Sequence, residues 1–174
     1  MPWWNQPYDN LDERFERAVK MVGEEFSEKV LYTGLSWLPA RSIVEYVVKN
    51  RFQVDGSGQI LLFDQFVPWK SHLHDVEERM GLNVSHNIGI EPSPPILYAL
   101  YEDNQQWRIQ CVPLREGSFE SRKSLPASWR GLRDEVLSKE SNIPDCVFVH
   151  ATGFIGGNKT KEGALAMARK ALKS

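Results

Sequence analysis

Asp145-Cys146-Val147-Phe148-Val149-His150-Ala151-Thr152-Gly153-Phe154-Ile155-Gly156-Gly157-Asn158-Lys159-Thr160 is the stretch from which the fold is read. Val147 to Val149 predicts a short buried strand, three glycines (Gly153, Gly156, Gly157) predict a turn, and Glu162 to Lys173 predicts a helix. A strand, a glycine turn and a helix N-terminus leave backbone N–H groups where an anion can sit, and Lys159 and Thr160 add a positive charge and a hydroxyl. The same pattern is also met by a tight connection that needs glycine only for its dihedrals. Glycine turns are far commoner than anion sites, so the local pattern by itself favours the connection. It is a near miss for a nucleotide-hydrolase phosphate loop, which needs glycine directly before the lysine; Asn158 stands there.

Working backwards, Ala127 to Ser138 reads as mostly helical and Pro113 to Leu125 as a loop. Ile96–Tyr101 and Trp107–Val112 read as a hairpin turned by residues 102–106. Gln59–Phe63 reads as a strand, Pro68 to about Met80 as a helix, and the Gly-, Pro-, Asn- and Ser-rich residues 81–95 as a loop. From Leu11, Phe15, Val19, Val22, Phe26 and Val30 recur at helical steps, and a second helical run follows from Ala40 to Arg51 with Ile43, Val44, Val47 and Val48 as its inner stripe. The expected fold is α/β: a small mixed sheet of four or five strands with packed helices, preceded by a long N-terminal helical arm. Residues 1–10 read as a linker, 11–51 as the arm and 52–174 as the α/β domain. The adjacent Trp3 and Trp4 are expected to pack on something rather than hang in water.

With 174 residues, 41 % hydrophobic and 25 % charged, the chain is long enough for one core and an extension. No apolar run approaches a membrane span, and the N-terminus lacks the basic and apolar segments of a secretory signal. Cys111 and Cys146 sit in apolar strand patterns and read as buried thiols. The net charge is −2, but residues 107–133 and 158–173 each carry +4, leaving −10 elsewhere. Two basic segments in an acidic background can form one patch for an anionic ligand or can be solvated faces that never meet.

His72 and His74, two apart on a helix, point to different sides and make a poor metal pair; His86 lies in a loop without a partner. His150 ends the strand that enters the glycines, where it can touch a phosphate or sugar or cap the strand. Arg130 and Arg133, interleaved with Trp129, suit a nucleic-acid strand but equally suit pairing with Asp134 or Glu135. No nucleophile with a base and orienter is legible.

Taken together, Ser36-Trp37-Leu38-Pro39-Ala40-Arg41, Trp107 to Pro113, Ser118 to Arg122, Trp129 to Glu135 and Phe148 to Thr160 resemble the melanocyte-proliferating-gene exonuclease family of the DHH phosphoesterase superfamily. The resemblance runs from about Trp4 to Leu172 and covers the C-terminal half, the DHH-associated domain that presents substrate. It implies a 3′–5′ RNA exonuclease of nucleus or mitochondrion whose divalent metals, typically manganese, are bound in an N-terminal half that this chain lacks. No cofactor is implied in this chain; the implied partners are RNA or nucleotide phosphate and that catalytic half. The resemblance assigns phosphate contact to Gly156, Gly157 and Arg122, with His150, Asn158 and Lys159 as neighbours; the residue pattern adds Gly153 and Thr160 to that candidate site and Arg130 and Arg133 as candidate RNA contacts. It turns the balance at the glycines towards substrate contact. Many relatives carry His after the glycine pair, where this chain has Asn158. The alternative is a module in which the arm docks a protein or a second copy of the chain and the glycine turn is structural.

Overall fold

The computed structural model describes Asn5, residues 10–82 and residues 93–174. Trp3, Trp4, His86 and most of the loop read at residues 81–95 lie outside the described residues. The chain divides into two compact units, residues 1–39 and 40–174.

In the first unit, α1 (Leu11–Tyr32) carries Asp12 and Glu13 in its first turn and Lys29 in its last, the charge order that suits a helix dipole. A π-helical turn, Thr33–Trp37, follows, entered where the Thr33 hydroxyl donates to the Lys29 carbonyl at 2.8 Å. The stripe that defines α1 in the sequence (Phe15, Val19, Val22, Phe26 and Val30) is exposed at every position.

The second unit is built on a five-stranded sheet. Its elements are α2 (Leu38–Lys49), α3 (Arg51–Val54), β1 (Ile60–Leu62), α4 (Lys70–Arg79), β2 (Tyr98–Asp103), β3 (Gln106–Cys111), a 3₁₀ turn (Ala127–Trp129), α5 (Asp134–Ser141), β4 (Cys146–Val149), β5 (Ile155–Asn158) and α6 (Lys161–Leu172). The strand order is β1-β2-β3-β5-β4. β1 runs parallel to β2, and the other three pairings are antiparallel. The sheet is therefore mixed, with the five strands and packed helices that the sequence predicts.

The pleat sends successive side chains to opposite faces, so the core is split in two. Ile60, Tyr98, Leu100 and Ile109 meet Leu137 of α5 and Ala164, Met167 and Ala168 of α6. Leu61, Ala99 and Tyr101 meet Val44 and Val48 of α2 and Leu73 and Val76 of α4. The run from Ala40 onward, read as the end of the arm, thus packs against the sheet. An ion pair from Arg41 to Asp75 fastens α2 to α4. The two strands pair as the expected hairpin, with Tyr98 opposite Cys111.

Two elements differ from expectation. The helix read over residues 127–138 is a 3₁₀ turn followed by α5, with Arg133 extended between them. The glycine turn read across residues 153–157 is shorter than expected. Only Gly153, at φ 75°, lies in a turn, and Ile155–Asn158 is a strand. Gly and Asn are poor strand formers, so propensity concealed β5; the two neighbouring ladders override it.

Candidate nucleic-acid interface

The 145–160 segment is a hairpin, β4 to β5, closed by residues 150–154. His150 organises that closure. Its Nδ1 accepts from the Thr152 backbone N–H at 3.2 Å and lies 3.0 Å from the Thr152 hydroxyl. An amide can only donate, so the proton of the neutral ring sits on Nε2. The His150 ring meets Phe154 edge-on, with centroids 4.8 Å apart. Gly153 is buried beneath the Arg130 side chain, whose Nε donates to the Leu125 carbonyl at 3.1 Å.

Gly156 and Gly157 are strand residues hydrogen-bonded between β3 and β4. Their amides serve the sheet, so the expected cradle of outward-facing glycine N–H groups in front of a helix does not form. A Cβ at Gly157 would press on the Arg108 guanidinium and on the Phe148 ring, each at 3.1 Å. The glycine is what lets those two groups close over the strand.

The start of α6 is capped by its own chain. Asn158 is fully buried; its Nδ2 donates to the Pro144 carbonyl at 2.8 Å, and its Oδ1 accepts from the Thr160 N–H at 2.9 Å and hydroxyl at 3.1 Å. Thr160 caps the helix by accepting from Gly163 N–H at 3.0 Å. Asn158 fills the space a Cβ at Gly163 would need, so a glycine there is required. Asn158 and Thr160 thus take up part of the anion seat read at the helix start: Thr160 caps the helix and Asn158 holds Thr160 in place. Lys159 stays exposed, 3.9 Å from the Asp145 carboxylate.

Arg122 sits elsewhere. Both its terminal nitrogens reach the Glu77 carboxylate at 2.7 Å, and one also donates to the Ile96 carbonyl at 3.0 Å. Glu77 is only 2 % exposed, and a carboxylate that deep needs this bidentate partner. His74 lies 3.3 Å from the same guanidinium, and burial first, then the Arg122 charge, pulls its pKa below the ordinary value. The grouping of Arg122 with Gly156 and Gly157 is thus replaced by a grouping with Glu77 and His74 on α4.

What the fold does assemble is a cationic, aromatic stretch of sheet at the β3–β5–β4 end. The Arg108 guanidinium lies 5.3 Å from the Phe148 ring centre and that of Arg133 lies 5.9 Å from it. Arg108 also pairs with Asp103 at 3.2 Å and donates to Gln106, whereas exposed Arg133 forms no ion pair among the described residues. The two basic segments do meet: Arg108 pairs in register with Gly157, Lys161 lies 5.3 Å from the Trp107 ring centre, and Lys123 donates to the Leu172 carbonyl at 2.9 Å. Sequence reading found Arg133 but missed Arg108, whose signal was its alternation with Trp107 and Ile109 on a predicted strand.

A cleft of about 730 Å³ lies between the Pro113–Ser121 loop, the start of α4 and the β4–β5 hairpin. His150, Thr152 and Phe154 line one side, Ser118 and Phe119 another, and Lys70 a third. Gln110 lines it from β3, on the same sheet face as Arg108 two residues away. Its buried carboxamide oxygen accepts from Tyr101 at 2.7 Å. Burial holds the Lys70 pKa below its usual value. Cys111 also borders the cleft as a buried thiol whose pKa burial pushes up to about 12.

Among the described residues, no three or more His, Cys, Asp or Glu side chains gather to hold a metal ion. The metals implied by the resemblance have no fitting ligand set among the described residues. No helix among those residues is long and apolar enough to cross a membrane.

Comparison with known proteins bears on the whole chain. The MYG1_exonuc family model, described as an uncharacterised protein family (UPF0160), matches residues 1–172. A MYG1 protein of Caenorhabditis elegans is 51 % identical over 97 % of this chain and 48 % of its own length. The MYG1 exonuclease of Homo sapiens is 48 % identical over 98 % of this chain and 43 % of its own length. A MYG1 protein of Saccharomyces cerevisiae is 38 % identical over 98 % and 48 % respectively. The chain spans about half the length of the curated relatives it matches. No solved structure matches it significantly.

Proposed function

This chain belongs to the MYG1_exonuc family, and on that premise we propose that it is the RNA-holding part of a metal-dependent 3′–5′ exonuclease. It takes the C-terminal half of the whole protein, a DHH-associated domain, and the divalent metals, manganese foremost, sit in the other half. The observation that carries this reading is the pair of guanidinium groups, Arg108 and Arg133, set against Phe148 over the glycine strand β5. Guanidinium forks take phosphates in bidentate fashion, and an aromatic ring beside them offers a face to a base. The residues divide by role. Arg108, Arg133 and exposed Lys159 serve the phosphates, while His150 offers an Nε2–H donor beside the hairpin, to a phosphate or a ribose. Gly153, Gly156, Gly157, Asn158 and Thr160 shape the surface from behind, and Arg130 holds the hairpin turn.

Hydrolysis of a phosphodiester by this class of enzyme needs water activated by metal, which this chain's residues do not supply among those described. On this reading the chain binds and orients RNA and leaves bond breaking to the other half. The whole protein works in the nucleus or mitochondrion on this reading. Its test is a product assay: labelled RNA with manganese and the purified chain yields no mononucleotides, and the full-length protein does. Release of mononucleotides by the chain alone overturns it.

A second reading is favoured by α1, whose exposed Phe15, Val22 and Phe26 form an apolar face on a 22-residue helix. That face suits a protein partner or a second copy of the chain, and light scattering of the purified chain distinguishes a dimer from a monomer.

A further inference from the structure

We propose that the cleft behind the β4–β5 hairpin is a nucleobase seat, into which one unstacked base of the bound RNA is inserted. The proposal rests on the RNA-holding reading above and adds the part of the ligand that enters this cleft.

Three observations carry it. First, the Pro113–Arg122 loop is a closed, hydrogen-bonded structure. Leu114 N–H donates to Glu120 at 2.7 Å, Arg122 N–H to Val112 at 2.9 Å and Ser118 N–H to Arg115 at 3.0 Å; Pro113 bridges Ser121. Yet this ordered loop holds the Phe119 ring wholly in solvent at the cleft, and a second aromatic, Phe154, lines the cleft while more than a third exposed. Stacking a base between such rings removes both from water at little ordering cost, because the loop is already fixed.

Second, the polar lining fits the edge of a base better than a phosphate. The charges are one of each sign, Lys70 and Glu116, so the cleft has no net attraction for an anion. Its other polar groups carry no fixed charge: the Ser71, Ser118, Ser121 and Thr152 hydroxyls, the Gln110 carboxamide and the His150 ring. Tyr101 occupies the Gln110 oxygen, and this fixes the amide orientation. Neutral donors and acceptors around an apolar slot are what a planar heterocycle with an amide-like edge needs.

Third, the cationic groups lie next door. Gln110 borders the cleft and Arg108 follows two residues away on the same face of β3, so one nucleotide can place its phosphate on the arginines and its base in the slot. The volume of about 730 Å³ falls in the range of small-molecule sites.

The test uses the ¹⁵N-labelled full chain titrated with adenosine 5′-monophosphate, ribose 5-phosphate and inorganic phosphate. The monophosphate is expected to shift the amides of Gly117, Phe119, Thr152 and Phe154, and the two base-free anions to leave them in place. Phe119→Ala, a change at a fully exposed position, and Phe154→Ala should each weaken the monophosphate by about five- to a hundred-fold, as removal of one stacking ring does. Identical shifts from ribose 5-phosphate, or unchanged affinity in Phe119→Ala, overturn the seat. If the cleft stays silent while an RNA oligonucleotide still binds in a salt-dependent way, the base seat fails and the RNA-holding reading stands. If adenosine monophosphate fills the cleft but the oligonucleotide does not bind, the seat holds and that reading falls.

Discussion

Substituting Arg122 separates a structural arginine from a ligand-binding one. Its guanidinium spans both oxygens of Glu77 at 2.7 Å, with side chains 13 % and 2 % exposed. Arg122→Met leaves the buried Glu77 carboxylate without its bidentate partner, with His74 at 4.0 Å and the more distant Arg51 charge as its remaining basic neighbours. Breaking a buried pair from one side costs about 3–5 kcal/mol. Domains of this size have about 5–15 kcal/mol of stability in total, so the variant should lose a large share of it. Glu77→Leu alone strands the arginine, which can partly reach water, and should cost less. In the double variant Arg122→Met with Glu77→Leu both charges leave together, so its loss should fall below that of Arg122→Met, since apolar replacements of buried pairs are often near neutral. Urea unfolding followed by tryptophan fluorescence gives the four corners of the cycle. If Arg122→Met costs under about 1 kcal/mol and abolishes RNA binding, the assignment is wrong and Arg122 belongs to the ligand.

Gly163→Ala forces a methyl against buried Asn158 and should cost about 1–3 kcal/mol by urea unfolding, with no loss if Asn158 moves freely. Burial first and then the Arg122 charge hold the His74 pKa below its ordinary value in the folded chain, against weaker pulls from Glu77 and Glu116. As pH falls through about 6.5 the unfolded chain takes up this proton first, so stability should drop, and His74→Gln should shrink the drop in urea midpoint between pH 7 and pH 5. The Cys111 thiol, buried with its pKa pushed up to about 12, should resist a disulfide reagent at pH 8 until denaturant is added.

The fold was legible wherever side chains carried a period. An apolar run placed β2, alternation placed β3, and three- and four-residue spacing placed α1, α2 and α4. It failed at Ile155–Asn158, because a strand of Ile-Gly-Gly-Asn is formed by its neighbours on both sides and not by its own preferences. The site was legible only in part for a related reason. Arg122 is a cation in a basic segment, but the carboxylate that claims it stands 45 positions earlier on α4, a pairing that no local pattern reports. In the sequence Asn158 interrupts a phosphate-loop pattern; its place as the buried support of the Thr160 cap depends on Pro144, Thr160 and Gly163 coming together. Arg108 sat in plain view on a strand, yet only the register with Gly157 shows why a glycine lies opposite it.

The salt dependence of RNA binding tests most directly whether this chain grips RNA through its phosphates at the Arg108–Phe148 face. Anisotropy of a labelled single-stranded RNA, measured across a salt series, should give log K falling linearly with log salt. Arg108→Ala with Arg133→Ala should flatten that line by about 1.4, at about 0.7 for each phosphate that the variant leaves without its arginine. Affinity that ignores salt, or a slope untouched by removing both arginines, would contradict the account.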